Sequence, residues 1–313
     1  MNQITQIVEA ERAGISFLKG YAARHSLARF ETPGEWRKVS PFLAHIMDNR
    51  ADIVGNLGGI SGALLSRTRV AGKNIVMKFA VEGFSESQAH FSPDVFSTAH
   101  REALFVHLAS KHFSLGKYFP ETSLVFDRIE SRFCSLQEYI ESALLFNSKK
   151  ESHVQEIRKM DQNDLMKLHL MDRILGNTDR HGENVLFCPS TRSISNDSKN
   201  DASQYELKLI DHGFSFDYSG FLKIQEPAYS RHLMGTEISQ DVRDWFSQIS
   251  IDDIVQTAAE YRLPEPLRIK MLSLFALMRS AIEDGSIINL RDVDRRLGFE
   301  GYDRAAESLQ ANC

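Results

Sequence analysis

The residues best suited to chemistry lie in one loop, Gly176-Asn177-Thr178-Asp179-Arg180-His181-Gly182-Glu183-Asn184. Apolar sequence flanks it, with Leu168, Met171, Ile174 and Leu175 before and Val185, Leu186 and Phe187 after. A dense polar run between such flanks belongs at the exposed edge of a rigid scaffold. A second acidic turn follows at Leu209-Ile210-Asp211-His212-Gly213-Phe214. Phosphoryl transfer to a hydroxyl uses one aspartate to accept the proton, and an asparagine with a further aspartate to hold Mg²⁺ on the nucleotide. Asp179, Asn184 five positions later, and Asp211 form such a set. His169, Asp172, Asp179, His181, Asp211 and His212 can also be read as a His/Asp metal cluster, of the kind used by a metal-dependent phosphohydrolase. That rival leaves Asn184 without a role. His181 reads more simply as a histidine that braces the loop.

These groups need elements to hold them. The helical spacing over Leu165–Leu175 predicts a helix running into the loop, with His169 and Asp172 on one face. Val185–Cys188 and Glu206–Ile210 read as paired strands, and the Ser/Asn/Asp-rich run Pro189–Gln204 as the tip between them. That pairing would set Asn184 beside Asp211, as a shared Mg²⁺ requires.

Upstream, Gly55, Gly58, Gly59 and Gly62 mark a loop whose backbone can turn N–H groups onto phosphates. No Gly-Lys-Ser/Thr closes it, so it is not a Walker loop. Ile75–Phe79 reads as a strand with Lys78 inside it, and a lysine there needs an anion to meet. A helix is expected over Ser97–His112, with Ala103, Leu104 and Leu108 facing inward. Glu102 on that helix either pairs with Lys78 or sits solvated on the surface. Leu124–Phe126 and Phe133–Leu136 read as paired strands, and Gln137-Glu138-Tyr139-Ile140 as an extended link into the second half of the chain. A further helix is expected over Val154–Met160.

The ends of the chain are helical in pattern. Residues 3–24 read as one amphipathic helix and Ser40-Pro41 as the start of a short helix through Ile46. From Ile238 onward the pattern stays helical. Ser250 caps Ile251–Tyr261, Pro264 and Pro266 break it, and Leu267–Ile282 runs apolar until Gly285, with Met271 and Met278 as core filling.

Asn177 to Asn184, followed by Asp211-His212-Gly213, resembles the catalytic and metal-binding loops of atypical kinases. These are the phosphatidylinositol 3-/4-kinase-like proteins and the HipA-type Ser/Thr kinases. They carry Asp-Arg-His where conventional protein kinases carry His-Arg-Asp, and here His212 replaces the Phe of Asp-Phe-Gly. The resemblance is specific in this central portion and extends back to about Gly55. It covers neither the first fifty residues or so nor roughly the last seventy.

The resemblance implies an α+β, two-lobed, protein-kinase-like fold. Residues 1–50 would be a helical extension packed on the kinase, 51–140 a small β-rich N-lobe and 141–313 a larger helical C-lobe. It implies ATP and Mg²⁺ as cofactors, Asp179 as base, Asn184 and Asp211 as metal ligands and Lys78 on the phosphates. Gly58, Gly59, Ser61, Gly62 and Glu102 would complete the nucleotide site, with the backbone of Gln137, Glu138 and Tyr139 reading the adenine. HipA-type relatives carry a serine in the phosphate loop that can be autophosphorylated. Ser61, and then Ser66, are the positions similar to it.

Composition narrows the partners. The chain has 313 residues, 42% hydrophobic and 25% charged, enough for one large domain or a two-lobed one. A net charge of -5 gives no footprint for nucleic acid or an anionic membrane. Between Phe214 and Arg231 the basic residues are Lys223 and Arg231, opposed by Asp217 and Glu226. That favours a protein substrate over a phosphoinositide, which would want a basic surface. No apolar run is long enough to span a bilayer and the N-terminus shows no signal pattern. Three scattered cysteines, Cys134, Cys188 and Cys313, suit a reducing cytosol, that of the producing cell or of another cell reached without a standard signal. A non-catalytic nucleotide-binding module and transfer of a group other than γ-phosphoryl remain as alternatives.

Overall fold

The computed structural model describes residues 24–26, 30–31, 50–57, 64–70, 73–79, 97–127, 132–177, 179–190, 203–213, 215–216, 218 and 227–297. The helices expected over residues 3–23 and from Ser40 to Ile46 lie outside these residues, as do Gly58, Gly59, Ser61, Gly62 and the tip 191–202. The chain divides into two compact units. One comprises Met1–His107 with Pro120–Glu141, the other Leu108–Phe119 with Ser142–Cys313.

The first unit holds an antiparallel sheet of β1 (Arg24–Ser26), β2 (Phe30–Glu31), β3 (Arg50–Leu57), β4 (Leu64–Val70), β5 (Lys73–Phe79), β6 (Thr122–Asp127) and β7 (Arg132–Glu138). The strands lie in the order β1-β3-β4-β5-β7-β6-β2. Arg24, read from sequence as the end of a helix, therefore opens a strand. The expected pairing of β6 with β7 forms, with Leu124 opposite Ser135. β5 lies between β4 and β7, and Ile75, Val76 and Met77 are buried there. A strand buried on both faces reads as a continuous apolar run rather than an alternating one, as this segment does.

Helix α1 (Thr98–Lys111) buries Ala103, Leu104 and Leu108, the face expected of it. Its last residues belong to the second unit, and the segment that follows the helix is bonded within that unit. His112 Nε2 meets Thr257 Oγ1 at 2.8 Å, and Trp245 Nε1 donates to the Phe113 carbonyl at 3.0 Å. Tyr118 Oη donates to Asp164 at 2.8 Å.

The second unit holds a three-stranded antiparallel sheet, β8 (Leu144–Leu145), β9 (Val185–Pro189) and β10 (Tyr205–Leu209), in the order β10-β9-β8. Its helices are α2 (Glu151–Arg158), α3 (Gln162–Ile174), α4 (Gln240–Gln248), α5 (Ile251–Glu260), α6 (Glu265–Glu283) and α7 (Leu290–Arg296). Sequence placed the start of α2 three residues late and that of α3 three residues late. The Asp161 side chain caps α3 by accepting from Asp164 N–H, a start signal outside the apolar pattern. Ser239 and Ser250 cap α4 and α5 in the same way, and Asn289 with Asp292 forms a capping box on α7.

α3 is the spine of this unit. Leu165, Leu168, Leu170, Met171 and Ile174 each have 0% exposure and point to different sides of it. Each such side chain is worth about 1.5–3 kcal/mol in burial. α6 adds Met271, Phe275, Met278 and Ile282 at helical spacing, with Phe275 stacked on Phe246 of α4 at 4.9 Å. A helix surrounded in this way can hold the loop at its C-terminus rigidly. Among the described residues no helix is long and apolar enough to cross a membrane.

Candidate active site

The loop begins where α3 ends. Gly176 takes φ +59°, a left-handed conformation that suits glycine, and turns the chain out of the helix. Asn177 N–H bonds the Asp172 carbonyl at 2.8 Å. Its side chain donates to Asp172 Oδ1 at 3.3 Å and accepts from Asp179 N–H at 3.2 Å. The short polar side chain thus replaces backbone partners that a turn would lack.

Arg180 pins the next step. With 0% exposure it donates from Nε and one terminal nitrogen to both oxygens of Asp172, each at 3.1 Å. Its other terminal nitrogen donates to the Ile210 carbonyl at 2.9 Å, and His212 Nδ1 lies 3.0 Å from the guanidinium. Tyr229 Oη donates to Asp172 Oδ2 at 2.7 Å, and Ala228 N–H donates to the Arg180 carbonyl at 3.2 Å. One planar cation therefore ties the helix, the loop and the Ile210–His212 segment. An arginine suits this because its donors are set in a fixed fork.

His181 closes a short 3₁₀ turn, Gly182–Asn184, by accepting Glu183 N–H on Nδ1 at 3.2 Å. This is the bracing role expected of it. Its Nε2 lies 3.4 Å from Asp179 Oδ1. Asn184 Nδ2 donates to the Asp179 carbonyl at 2.6 Å and lies 3.4 Å from Asp179 Oδ2. With the amide nitrogen so engaged, the side-chain oxygen is the atom Asn184 can offer a cation.

The β9–β10 ladder runs from Tyr205 opposite Pro189 to Leu209 opposite Val185. One step further, Ile210 N–H donates to the Asn184 carbonyl at 3.0 Å, and Asp211 follows. Asp211 takes φ +56°, an uncommon conformation for anything but Gly, Asn or Asp. Its carboxylate acts on Asp179. Burial pushes the Asp179 carboxyl above the ordinary aspartate range and the negative charge of Asp211 adds to this, against His181, Asn184 and Arg180. The pairing expected from sequence thus brings the end of the first acidic segment and the start of the second to one end of the sheet.

The His/Asp metal cluster does not form. Asp172 is spent on Arg180 and Tyr229, and His169 lies between Ser230 and Asp294. Among the described residues no group of three or more His, Cys, Asp and Glu side chains is gathered for a metal.

In the first unit, Lys78 Nζ lies 2.6 Å from Glu102 Oε1, with side-chain exposures of 11% and 2%. Of the two readings of Glu102, the ion pair forms and the solvated carboxylate does not. Gln137 and Glu138 are not a link. They end β7 opposite Val76 and Ile75, and Gln137 is buried with its amide donating to Thr122 Oγ1 at 3.1 Å. The apolar pattern of β7 stops at Leu136, so its last rungs carry polar side chains that sequence took for a connector. Tyr139 N–H donates to the Asn74 carbonyl at 3.0 Å, and Arg67 stacks 4.3 Å over the Tyr139 ring. Ser66 lies in β4. Sequence reasoning missed Arg67, and it missed Arg180, Asp172 and Tyr229 as one clamp. The pairing of Asp172 with Arg180 across the helix end carries no periodicity to read.

No protein-family model and no curated protein matches the chain. Among solved structures it is similar to the proinflammatory kinase CtkA of Helicobacter pylori, with 12% identity and a TM-score of 0.45 over 79% of this chain and 95% of that one. It is also similar to choline kinase LicA from Streptococcus pneumoniae, with 16% identity and a TM-score of 0.30 over 83% and 94%. The LicA complex with AMP gives 15%, 0.29, 83% and 93%. CtkA and LicA are both kinases. Likeness this loose leaves the functional reading to the geometry of the loop.

Proposed function

We propose that the chain is an ATP- and Mg²⁺-dependent kinase of the atypical, HipA-like or phosphatidylinositol-kinase-like kind, with a two-lobed kinase fold, and that it moves the γ-phosphoryl group to a protein Ser or Thr hydroxyl. One observation supports this most. Asp179 and Asn184 are bonded to each other within the loop, and Asp211 enters one residue beyond the Ile210–Asn184 bond.

The donor set suits Mg²⁺. An amide oxygen and a carboxylate are hard oxygen ligands, and Mg²⁺ completes its shell with nucleotide phosphates and water rather than with an all-protein cage. Asn184 and Asp211 would hold it, and when bound it neutralises charge on the phosphates. Asp179 accepts the proton of the attacking hydroxyl. A carboxyl raised by burial is a better base near neutrality than an exposed one. Arg180 fixes the loop and the Ile210–His212 segment, so little reorganisation is needed at the moment of transfer. Lys78, oriented by Glu102, meets the phosphates.

Few basic residues between Phe214 and Arg231 favour a protein acceptor over a phosphoinositide. Cys134 and Cys188 are buried, and we place the reaction in a reducing cytosol. The test is incubation with Mg·ATP and either a protein lysate or phosphoinositide vesicles, followed by mass spectrometry of the products. Added mass of one phosphoryl group on protein Ser or Thr supports the reading, and on lipid it moves the acceptor class. An adenylyl mass, or no ATP turnover, refutes it. Intact-mass measurement of the protein alone tests Ser61 and Ser66 as autophosphorylation positions. Asp179→Ala, Asn184→Ala and Asp211→Ala should each abolish turnover in a folded protein.

A further inference from the structure

α3 carries more buried charge than packing requires. His169, Asp172 and Arg173 have at most 1% exposure. Apolar residues of similar volume in such places are often neutral or stabilising, so buried ion pairs are a poor way to gain stability alone. What hydrogen-bonded charges add is direction.

Arg173 donates to both oxygens of Asp294 on α7, at 2.7 and 2.9 Å. His169 Nε2 lies 3.0 Å from the same carboxylate, and its Nδ1 lies 2.8 Å from Ser230 Oγ. Burial disfavours the charged imidazole of His169. Burial also opposes ionisation of Asp294, but the bonds from His169 and Arg173 outweigh it and hold the carboxyl well below its usual range. An ionised Asp294 can only accept, so Nε2 of His169 carries the proton and Nδ1 accepts from the Ser230 hydroxyl. This is the order of a Ser–His–Asp relay, yet Ser230 and His169 have 0% exposure, so no substrate can reach them. The relay must act on its neighbours. Next to Ser230 stands Tyr229, which bonds the Asp172 that holds Arg180.

We infer that Asp294 and Ser230 are positioning residues, through which α7 and the turn before Arg231 set the clamp on Arg180 and hence the placement of Asp179 and Asp211. The inference rests on the kinase reading for its consequence in catalysis, and on geometry alone for the coupling itself. Asp294 to His169, His169 to Ser230, Tyr229 to Asp172 and Asp172 to Arg180 are bonds of 3.1 Å or less between buried side chains, and the peptide bond between Tyr229 and Ser230 joins them. Coupling of this kind needs a continuous physical network, and here one is present.

The experiment compares the full chain with its Ser230→Ala and Asp294→Asn variants by hydrogen exchange and by ATP kinetics. Ser230→Ala removes one hydroxyl and should fold even if Asp294→Asn does not. The expected result is faster exchange in peptides covering residues 176–184 and 207–213, as well as around 227–230, with peptides of β5 and β7 unchanged. Turnover should fall about tenfold or more while KM for Mg·ATP moves less than about threefold, since misplacement by an ångström can lose about a hundredfold. Faster exchange confined to 227–230 and 290–297 overturns the coupling, whatever the activity. If the parent protein turns over no ATP, the kinase reading fails and the exchange data still decide the inference. Unchanged turnover in a folded Ser230→Ala variant with altered loop exchange overturns the positioning role.

Discussion

Asn184 holds the carbonyl of Asp179 from its side-chain nitrogen at 2.6 Å, so the middle of the loop and its end fix each other. The bond orients the amide as well as the loop. Asn184→Asp tests which matters. A carboxylate is a good ligand for Mg²⁺, but here one oxygen would face a backbone oxygen with no proton between them. Loss of a bond with an acceptor left unpaired costs about 1–3 kcal/mol. The variant should unfold at lower urea by that amount and lose ATP turnover. Wild-type turnover would show that ligand charge, not amide orientation, sets the site.

Asp179 should reduce stability at neutral pH. Its carboxyl is raised in the folded state by burial, with Asp211 adding to the rise. A raised acid binds its proton more tightly when folded, so the folded state is relatively favoured below the unfolded value, near 3.9. That advantage is lost as pH rises through the folded value. Asp179→Asn should therefore melt higher than the parent at pH 7, with the gap closing as pH falls toward about 4. A lower melting temperature for the variant at pH 7 would show that Asp179 is held by bonds rather than strained by burial.

Much of this was legible in the sequence where the signal was local. The loop, the Lys78 strand, the α1 face and the β9–β10 pairing all follow from spacing, because a strand or helix repeats its pattern within a few residues. The bond from Ile210 N–H to the Asn184 carbonyl, one residue before Asp211, was legible for the same reason, since a hairpin fixes its own register. The Arg180 clamp was not. Its parts come from Asp172, Ile210 and Tyr229, which no period joins, and an aspartate on a helix looks the same whether it ends solvated or meets an arginine. The end of β7 was misread because polar Gln137 and Glu138 finish a buried strand. There the sheet supplies partners for both the backbone and the Gln137 amide, and tertiary context overrides pattern.

The Lys78–Glu102 pair predicts a double-mutant cycle with a large coupling. Both groups are withdrawn from water, and removing one partner of a buried pair costs about 3–5 kcal/mol because the other charge is stranded. Glu102→Leu and Lys78→Met should each be destabilised by that amount in urea. Lys78→Met with Glu102→Leu removes both charges at similar volume, and should recover most of the loss. ATP turnover should vanish in every variant lacking Lys78, the recovered double variant included. Additive destabilisation would mean that the pair contributes no more than an exposed one.

Gly176 and Gly285 make a matched pair for the last prediction. Both take positive φ, +59° and +75°, at the ends of helices. An alanine in this conformation costs roughly 1–2 kcal/mol at either place. At Gly285 a β-carbon would meet nothing within 4 Å. At Gly176 it would come within 2.6 Å of Cε1 of Tyr218, a ring held by its hydroxyl bond to the Ile174 carbonyl at 2.8 Å. Gly176→Ala must therefore displace Tyr218 as well as strain the backbone, and should be the more destabilised of the two in urea unfolding. In a Tyr218→Ala background the ring is gone, and the two substitutions should then cost the same to within about 0.5 kcal/mol, the scatter expected of independent sites. Because Gly176 turns α3 into the Asp179 loop, on the proposed kinase reading Gly176→Ala should also lower ATP turnover, whereas Gly285→Ala should leave it at the parent level. Equal destabilisation of both in the parent background would mean that Tyr218 yields freely and does not fix the loop entrance.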